Sequence, residues 1–417
     1  MTLPQEQSEK LSQKLRQKPP LLFLSHRIPY PPNKGDKIRS YHLLKYLCQH
    51  YQVYLGTFVD DPEDWQYQSL VADMCTDSCF IELDPRAAKL KSTLGFITGE
   101  ALSLPYYKDR ELEHWIKRVT AEHDIEKLVV YSSAMAQYVM STSFDFKNMV
   151  IDFVDIDSDK WQQYSTRKQW PLNWVYKREA KKLLDFEQKV ANKFDSSLFV
   201  SSAEAEMFKQ FCPQSEQKIS FYNNGVDTEY FSPNIDTHIP YQSTEQVLVF
   251  TGAMDYWPNI DAVTWFAKKV FPSLKERNPD LRFYIVGSNP TDEVERLGNS
   301  DIIVTGRVTD VRPYLKHAIA AVAPMRIARG IQNKVLEAMA MAKPAVVTSQ
   351  ALEGIQAMHG KEVLLGHDEQ ALQLLVQQVI DGEHEGIGVK ARNKVISDFS
   401  WEDNLPIVGA FLEKTTH

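Results

Sequence analysis

The chain has 417 residues, long for a single core, and its 43% hydrophobic and 24% charged content is that of an ordinary folded protein. A formal charge of −8 argues against a globally basic nucleic-acid binder, so no nucleic acid is expected as a partner. Cys48, Cys75, Cys79 and Cys212 form no pair at zinc-ligand spacing, and no apolar stretch approaches the roughly 20 residues that span a bilayer.

Residues 1–20 are polar, rich in Lys and Gln, and lack the apolar centre of a signal peptide, which predicts a cytoplasmic protein. Short apolar runs then alternate with amphipathic segments. Strands are predicted at 21–25, 53–58, 80–83, 128–131, 149–153 and 198–201, with helices that include 38–49 and 178–193. Residues 232–244 are polar, carry Pro233 and Pro240, and read as a linker. The pattern restarts near Gln246, with strands at 247–251, 281–286, 302–305, 319–323, 345–348 and 362–365 and helices at 260–271 and 334–342. A last helical stretch covers 401–414. This alternation predicts an α/β chain of two doubly wound parallel-sheet (Rossmann-like) domains facing a cleft. Their expected bounds are 20–232 and 245–398, with a terminal helix in 399–417 crossing back to the first domain. Ligands of such sheets bind at the carboxyl ends of the strands.

Residues 326–344 carry the strongest chemical signal. An apolar strand leads into a glycine turn at Gly330, then Ile331, Gln332 and Asn333, then a strong helix former. Free amides and the positive end of a helix dipole make this an anion site. Lys334 and Glu337 lie three apart and share one helix face. Together they suit a nucleotide-diphosphate sugar: the lysine and amides take the diphosphate, and the carboxylate takes the ribose hydroxyls.

In the first half, Asn33-Lys34-Gly35-Asp36 precedes a helix. It reads as a turn with a capping Asp36, or as a backbone that approaches phosphates at Gly35, with Arg39 one turn on adding charge. His26 follows the first strand, where a packing role is the simpler one. Asp155-Ile156-Asp157 at a strand end reads as a turn-forming cluster, as an acceptor-side carboxylate at Asp155, or as a metal pair, the last disfavoured by the two similar halves. Residues 161–182 set Trp161, Trp170 and Trp174 among lysines and arginines. That mixture fits a peripheral membrane contact or a lipid-diphosphate acceptor, and equally a solvated basic face over buried aromatics.

The two-domain layout and the segment around Glu337 resemble the family-4 glycosyltransferases of the GT-B fold. The opening segment at 24–42, Leu-Ser-His-Arg-Ile-Pro-Tyr-Pro-Pro-Asn-Lys-Gly-Asp-Lys-Ile-Arg-Ser-Tyr-His, is similar to the family's glycine loop. With Ile-Asp-Phe-Val-Asp-Ile-Asp-Ser-Asp-Lys-Trp at 151–161, it resembles sugar transferases of exosortase (PEP-CTERM)-associated exopolysaccharide systems. Asn224-Gly225-Val226-Asp227, followed by Tyr230-Phe231 and Pro233, is similar to the family's interdomain signature. The resemblance implies a retaining transferase that uses a nucleotide-diphosphate sugar as substrate, without cofactor or metal, and a saccharide or lipid-linked acceptor. It implies donor contacts from Gly35, Asp36, Arg39, Gly252, Asn259, Arg329, Gly330, Ile331, Gln332, Asn333, Lys334 and Glu337.

Two departures qualify that implication. The family glutamate eight residues before the ribose-binding one is replaced by Arg329. The family's Arg and Lys after the first strand of the second domain are Ala253 and Asn259 here. A leaving diphosphate still needs positive charge. The expectation is therefore that Lys334 and Arg307, with Arg329 and Arg326, supply it, and that Asp155 acts on the acceptor side. A nucleotide-sugar epimerase of the same fold and a non-catalytic nucleotide-sugar-binding subunit are the alternatives. A dinucleotide-dependent oxidoreductase lacks the Gly-x-Gly-x-x-Gly it would need.

Overall fold

A computed structural model describes residues 18–32, 35–140, 144–328 and 330–414. The chain divides into two compact units, Met1–Tyr222 with Leu405–His417, and Asn223–Asn404.

The first unit is built on strands β1 (Pro20–Ser25), β2 (Gln52–Val59), β3 (Asp77–Glu82), β4 (Lys127–Tyr131), β5 (Asn148–Val154), β6 (Ser196–Phe199) and β7 (Ile219–Phe221). They form one parallel sheet in the order β3-β2-β1-β4-β5-β6-β7. The second unit carries β8 (Gln246–Thr251), β9 (Leu281–Val286), β10 (Ile302–Gly306), β11 (Ala320–Ala323), β12 (Ala345–Val347) and β13 (Leu364–Leu365). These are parallel in the order β10-β9-β8-β11-β12-β13.

Every predicted strand forms. β7 was not predicted, because its three residues alternate apolar and polar at a sheet edge. The central strands are apolar throughout since helices cover both faces: Leu21 to Leu24 and Leu248 to Phe250 are fully buried. The predicted helix at 260–271 extends as Trp257–Trp265, a wide turn at Phe266–Val270 and Phe271–Arg277. Pro272 explains the wide turn, because it has no N–H to return to residue 268.

In each sheet the strand order reverses next to the first strand, between β1 and β4 and between β8 and β11. Such switch points open crevices at the carboxyl ends of the strands, the usual ligand position of open α/β sheets. The closing helix Pro406–Leu412 lies on the first unit: Lys127 and Asn148 donate to the carbonyls of Leu412 and Lys414, and Tyr51 donates to Glu413 at 2.8 Å.

Segment 223–231 packs within the second unit. Val226 N–H donates to the Phe399 carbonyl at 2.9 Å, and Arg392 donates to the Thr228 and Phe231 carbonyls at 3.0 and 2.8 Å. Gly225 lies so close to Trp401 that a Cβ there would stand 2.6 Å from its ring.

Candidate functional site

At the β8/β11 switch point the chain leaves β11, turns at Gly330 with φ 64°, buries Ile331 and enters the helix Asn333–Ala340. Val335, Leu336, Ala338, Met339 and Ala340 bury the inner side of this helix and fix its start against the sheet. Gln332 occupies the cap position without a side-chain bond to the helix amides, and its Nε2 turns back to the Gly330 carbonyl at 3.1 Å. The first-turn amides are thus not capped by Gln332. Asn333 Oδ1 is buried with no hydrogen-bond partner, an acceptor available to a hydroxyl or amino group.

Lys334 points back over the end of β8. Its Nζ donates to Asn259 Oδ1 at 3.0 Å and to Gln332 Oε1 at 3.4 Å, and lies 5.4 Å from the centre of the Phe250 ring. Asn259 is itself buried, and its Nδ2 donates to the Ala253 carbonyl at 2.8 Å. Gly252 sits directly beneath, where a Cβ would stand 2.7 Å from Asn259 Nδ2 and 3.4 Å from Lys334 Cε. Asn259 therefore tethers Lys334 to the glycine loop after β8.

Glu337 lies one turn along the helix, and its carboxylate accepts no hydrogen bond among the described residues. Burial pushes its carboxyl up to about 7, a shift partly offset by Lys334. Burial likewise lowers Lys334 to about 8, partly offset by Glu337. The two opposite charges support each other only in part against burial. A diphosphate at the lysine and hydroxyls at the carboxylate would stabilise both ionised forms.

Sequence reasoning missed the support of this loop. Gly287, after β9, lies so close to Gly252 that a Cβ would stand 1.7 Å from the Gly252 carbonyl oxygen, so only glycine fits. Gly252 N–H donates to Val286 and Met254 N–H to Ser288, binding the two strand-end loops together. The signal was the Val286-Gly287 step that ends an apolar run. Tyr230 was read only as part of the interdomain signature, and its packing was not foreseen. Arg312 stacks on its ring at 3.8 Å and is held bidentately by Asp310, and the Glu337 charge is among the causes, after burial, that raise the Tyr230 hydroxyl.

Arg326 is claimed by Asp261 through two hydrogen bonds, one of them at 3.0 Å, so its charge is already matched. Arg307 follows Gly306 at the end of β10, exposed, on the edge strand. Two strand spacings, about 10 Å, separate that end from β8. Arg329 lies outside the described residues.

In the first unit, Gly35 opens the helix Gly35–His50, and Asn33 and Lys34 lie outside the described residues. Asp36 faces Arg27 at 2.8 Å and His26 Nε2 at 3.7 Å. Burial alone would raise the Asp36 carboxyl; His26 and Arg27 overcome this and hold it well below the usual range. His26 stacks on Tyr131, with ring centres 5.8 Å apart, and its Nδ1 is buried without a partner.

Arg39 departs from its expected place. It is fully buried, bonds Asp152 at 2.8 and 3.2 Å, donates to the Tyr222 and Phe199 carbonyls, and stacks on Tyr222 at 3.5 Å. A guanidinium so enclosed offers no charge to a ligand, and the expected donor contact of Arg39 is corrected to a structural one.

Asp155 and Asp157 converge on Lys160 at 2.8 and 3.2 Å, and Ser133 Oγ stands 3.5 Å from Asp157. Val154, just before, adopts φ 70°, rare for a β-branched residue, with its N–H donated to Asp152 at 3.0 Å. The resulting bulge turns the end of β5 and sets the direction of Asp155. Among the described residues no group of three or more His, Cys, Asp or Glu is arranged to hold a metal.

Residues 245–381 match the family model "Glycosyl transferases group 1". A segment of 131 residues is 25% identical to an uncharacterized 44.6 kDa protein in the cps region of Klebsiella pneumoniae, covering 29% of this chain and about a third (34%) of that relative. Among solved structures, sucrose-phosphate synthase from Thermosynechococcus elongatus superposes with TM-score 0.68 at 16% identity, over 94% of this chain and 98% of that one. HepE of Anabaena, in complex with UDP-glucose, gives 0.63 at 16% identity, over 94% and 99%. These likenesses establish the fold: residues 245–381 are a glycosyltransferase group 1 domain, carried in a chain of the GT-B fold.

Proposed function

We propose that the protein transfers a sugar from a nucleotide-diphosphate sugar to a saccharide or lipid-linked acceptor, with retention at the anomeric carbon, in exopolysaccharide synthesis. One observation carries the reading. At the switch point of the group 1 domain, a tethered lysine and an unpartnered carboxylate share the first turns of a helix whose amides are not capped by Gln332. That is the charge pattern of a diphosphate joined to a ribose. The neighbour solved with UDP-glucose supports a nucleotide sugar as donor. The retaining course, the exopolysaccharide role and the acceptor rest on the resemblance to family-4 and exosortase-associated transferases.

In this reading the leaving diphosphate gains charge against Lys334 and the helix amides, which carry the main catalytic effect. Gly252 and Asn259 hold the lysine in place, and Glu337 and Asn333 take hydroxyls of the nucleoside or sugar. The donor contacts expected of Gly35 and Asp36 rest on the resemblance alone. Asp155, drawn off Lys160, serves the acceptor hydroxyl, and Arg307 and Arg329 add charge. The donor is a substrate, and the reading takes no cofactor and no metal.

A thermal-shift and calorimetric screen against nucleotide diphosphates and their sugars tests this. A binder raises the melting temperature in step with its saturation. One nucleotide is expected to stand out, with its sugar binding through the same site, and the response is expected to vanish in Lys334→Ala/Glu337→Gln. No response to any nucleotide would remove the proposal. Donor turnover without an acceptor would mark an epimerase instead.

A further inference from the structure

The first unit carries an exposed surface that the donor chemistry does not use. Helices Pro85–Ser92 and Leu94–Thr98 lie beside the start of the helix Leu172–Lys193. Phe96 and Trp174 stack with their ring centres 6.1 Å apart and planes 7° apart. Arg178 locks the two segments together, donating to the carbonyls of Gly95 at 2.6 Å and Glu100 at 3.1 Å and lying over the Phe96 ring. The outermost side chains are large and apolar: Ile97 is 84% exposed, Trp170 80% and Leu90 75%, with Leu94, Phe96 and Trp174 also exposed. Such a cluster on a folded surface marks an interaction site.

The charge around it is one-signed. Segments 85–98 and 160–182 contain ten basic residues and a single acid, Glu179, in a chain of net charge −8. Glu179 is buried, capping the amides of Leu102 and Ser103 at 2.6 and 3.0 Å, so it does not reach this surface. Lys89, Lys91, Lys168, Lys177 and Lys181 are exposed. Trp161 turns inward onto Tyr176 and joins the apolar packing, which separates it from Trp170 and Trp174.

We infer that this face docks on an anionic lipid bilayer, with Leu90, Ile97 and Trp170 entering the headgroup boundary and the lysines held at its surface. Aliphatic and tryptophan tips rimmed by lysine are the composition of interfacial contacts, and each cation gains from the negative surface potential of anionic lipid. A second copy of the chain is the poorer occupant, because pairing this face with itself would oppose two cationic rims. Nucleic acid is poorer too, because Leu90 and Ile97 offer no ring for base stacking. The inference stands on this surface alone and is independent of the sugar-transfer reading.

Sedimentation of the full chain with vesicles tests it. One set is phosphatidylcholine alone, and the other is an equimolar mixture with phosphatidylglycerol. The protein is expected to pellet with the anionic vesicles, less so at high salt, and weakly or not at all with the neutral ones. Ile97→Asp/Trp170→Asp and Lys89→Glu/Lys91→Glu are each expected to lower partitioning about tenfold or more, since the apolar and charged contributions add in interfacial binding. Both pairs are exposed, so thermal melting is expected to stay unchanged. Failure to pellet with anionic vesicles overturns the inference. So does a wild-type dimer in solution that Ile97→Asp/Trp170→Asp converts to monomer, because the face would then be covered by a second copy.

Discussion

Arg39 in the first unit and Lys334 in the second sit at comparable places. Each is a cation near the start of a helix at a strand switch point, Lys334 in the first turn and Arg39 one turn on. Arg39 is wholly enclosed: its guanidinium meets a carboxylate, two carbonyls and an aromatic face, and Asp152 also receives Tyr222 Oη and the Val154 amide. Lys334 has two neutral partners, and the Glu337 carboxylate beside it has no hydrogen bond among the described residues. One pair is satisfied by the protein itself. The other leaves part of its electrostatic demand open, which is the condition under which a ligand is bound by charge. Position in the fold therefore does not tell a structural cation from a binding one, whereas saturation of its partners does.

The sharpest way to break this contrast is to remove each cation in turn. Arg39→Met leaves Asp152 buried without its counter-charge, and the expected loss of stability is about 3–5 kcal/mol, read from the urea unfolding midpoint. The part of the protein that stays folded should bind a nucleotide sugar normally. A stability change below about 1 kcal/mol would mean that Asp152 is satisfied without Arg39.

Lys334→Ala should do the reverse. Burial already disfavours its charge, so stability should change by less than about 1 kcal/mol. Transfer should fall by more than tenfold, the equivalent of about 1.4 kcal/mol of transition-state stabilisation. A smaller fall, measured at saturating acceptor, would place the diphosphate elsewhere.

How far the sequence could carry this distinction depends on the span of each contact. The strands were legible because apolar runs bounded by turns are local signals, and the glycine turn into the helix at Asn333 is local too. Arg39 was misplaced because its partner Asp152 is 113 residues away and the Tyr222 carbonyl 183 away. No local pattern shows that the charge is already matched. The same holds for Glu187, fully buried and donated to by Ser158 at 2.5 and 3.2 Å across 29 residues, where the sequence shows only one more helix carboxylate. Gly287 illustrates the opposite limit. Its role is backbone approach to Gly252, which an isolated glycine does not announce.

Glu337→Gln sharpens the comparison at smaller scale. Glutamine keeps the shape but loses one acceptor and the charge. Nucleotide-sugar affinity is expected to fall about three- to tenfold in calorimetry, near 1 kcal/mol, while Lys334→Ala acts mainly on the diphosphate. If free phosphate-containing fragments that lack ribose lose as much affinity as the whole nucleotide, Glu337 is not the ribose contact.

The mildest effect is in pH, and its sign follows from the two shifts. Glu337 is raised from 4.5 to about 7, so its contribution to folding is present in acid and fades as pH rises toward 7. Lys334 is lowered from 10.5 to about 8, so its contribution is weakest up to about 8 and recovers as pH climbs beyond it. Between about 7 and 8 both groups are largely charged and the ligand-free pair is at its least favourable. A nucleotide sugar wants those same two charges, so the thermal shift it produces should peak between about pH 7 and 8 and decline on either side. Lys334→Ala should remove the alkaline decline and Glu337→Gln the acid one. The Arg39–Asp152 pair should leave this profile unaltered, because its carboxylate and guanidinium are matched to each other. A peak that persisted unchanged in Lys334→Ala/Glu337→Gln would trace the dependence to other groups and dissolve the contrast between the two switch points.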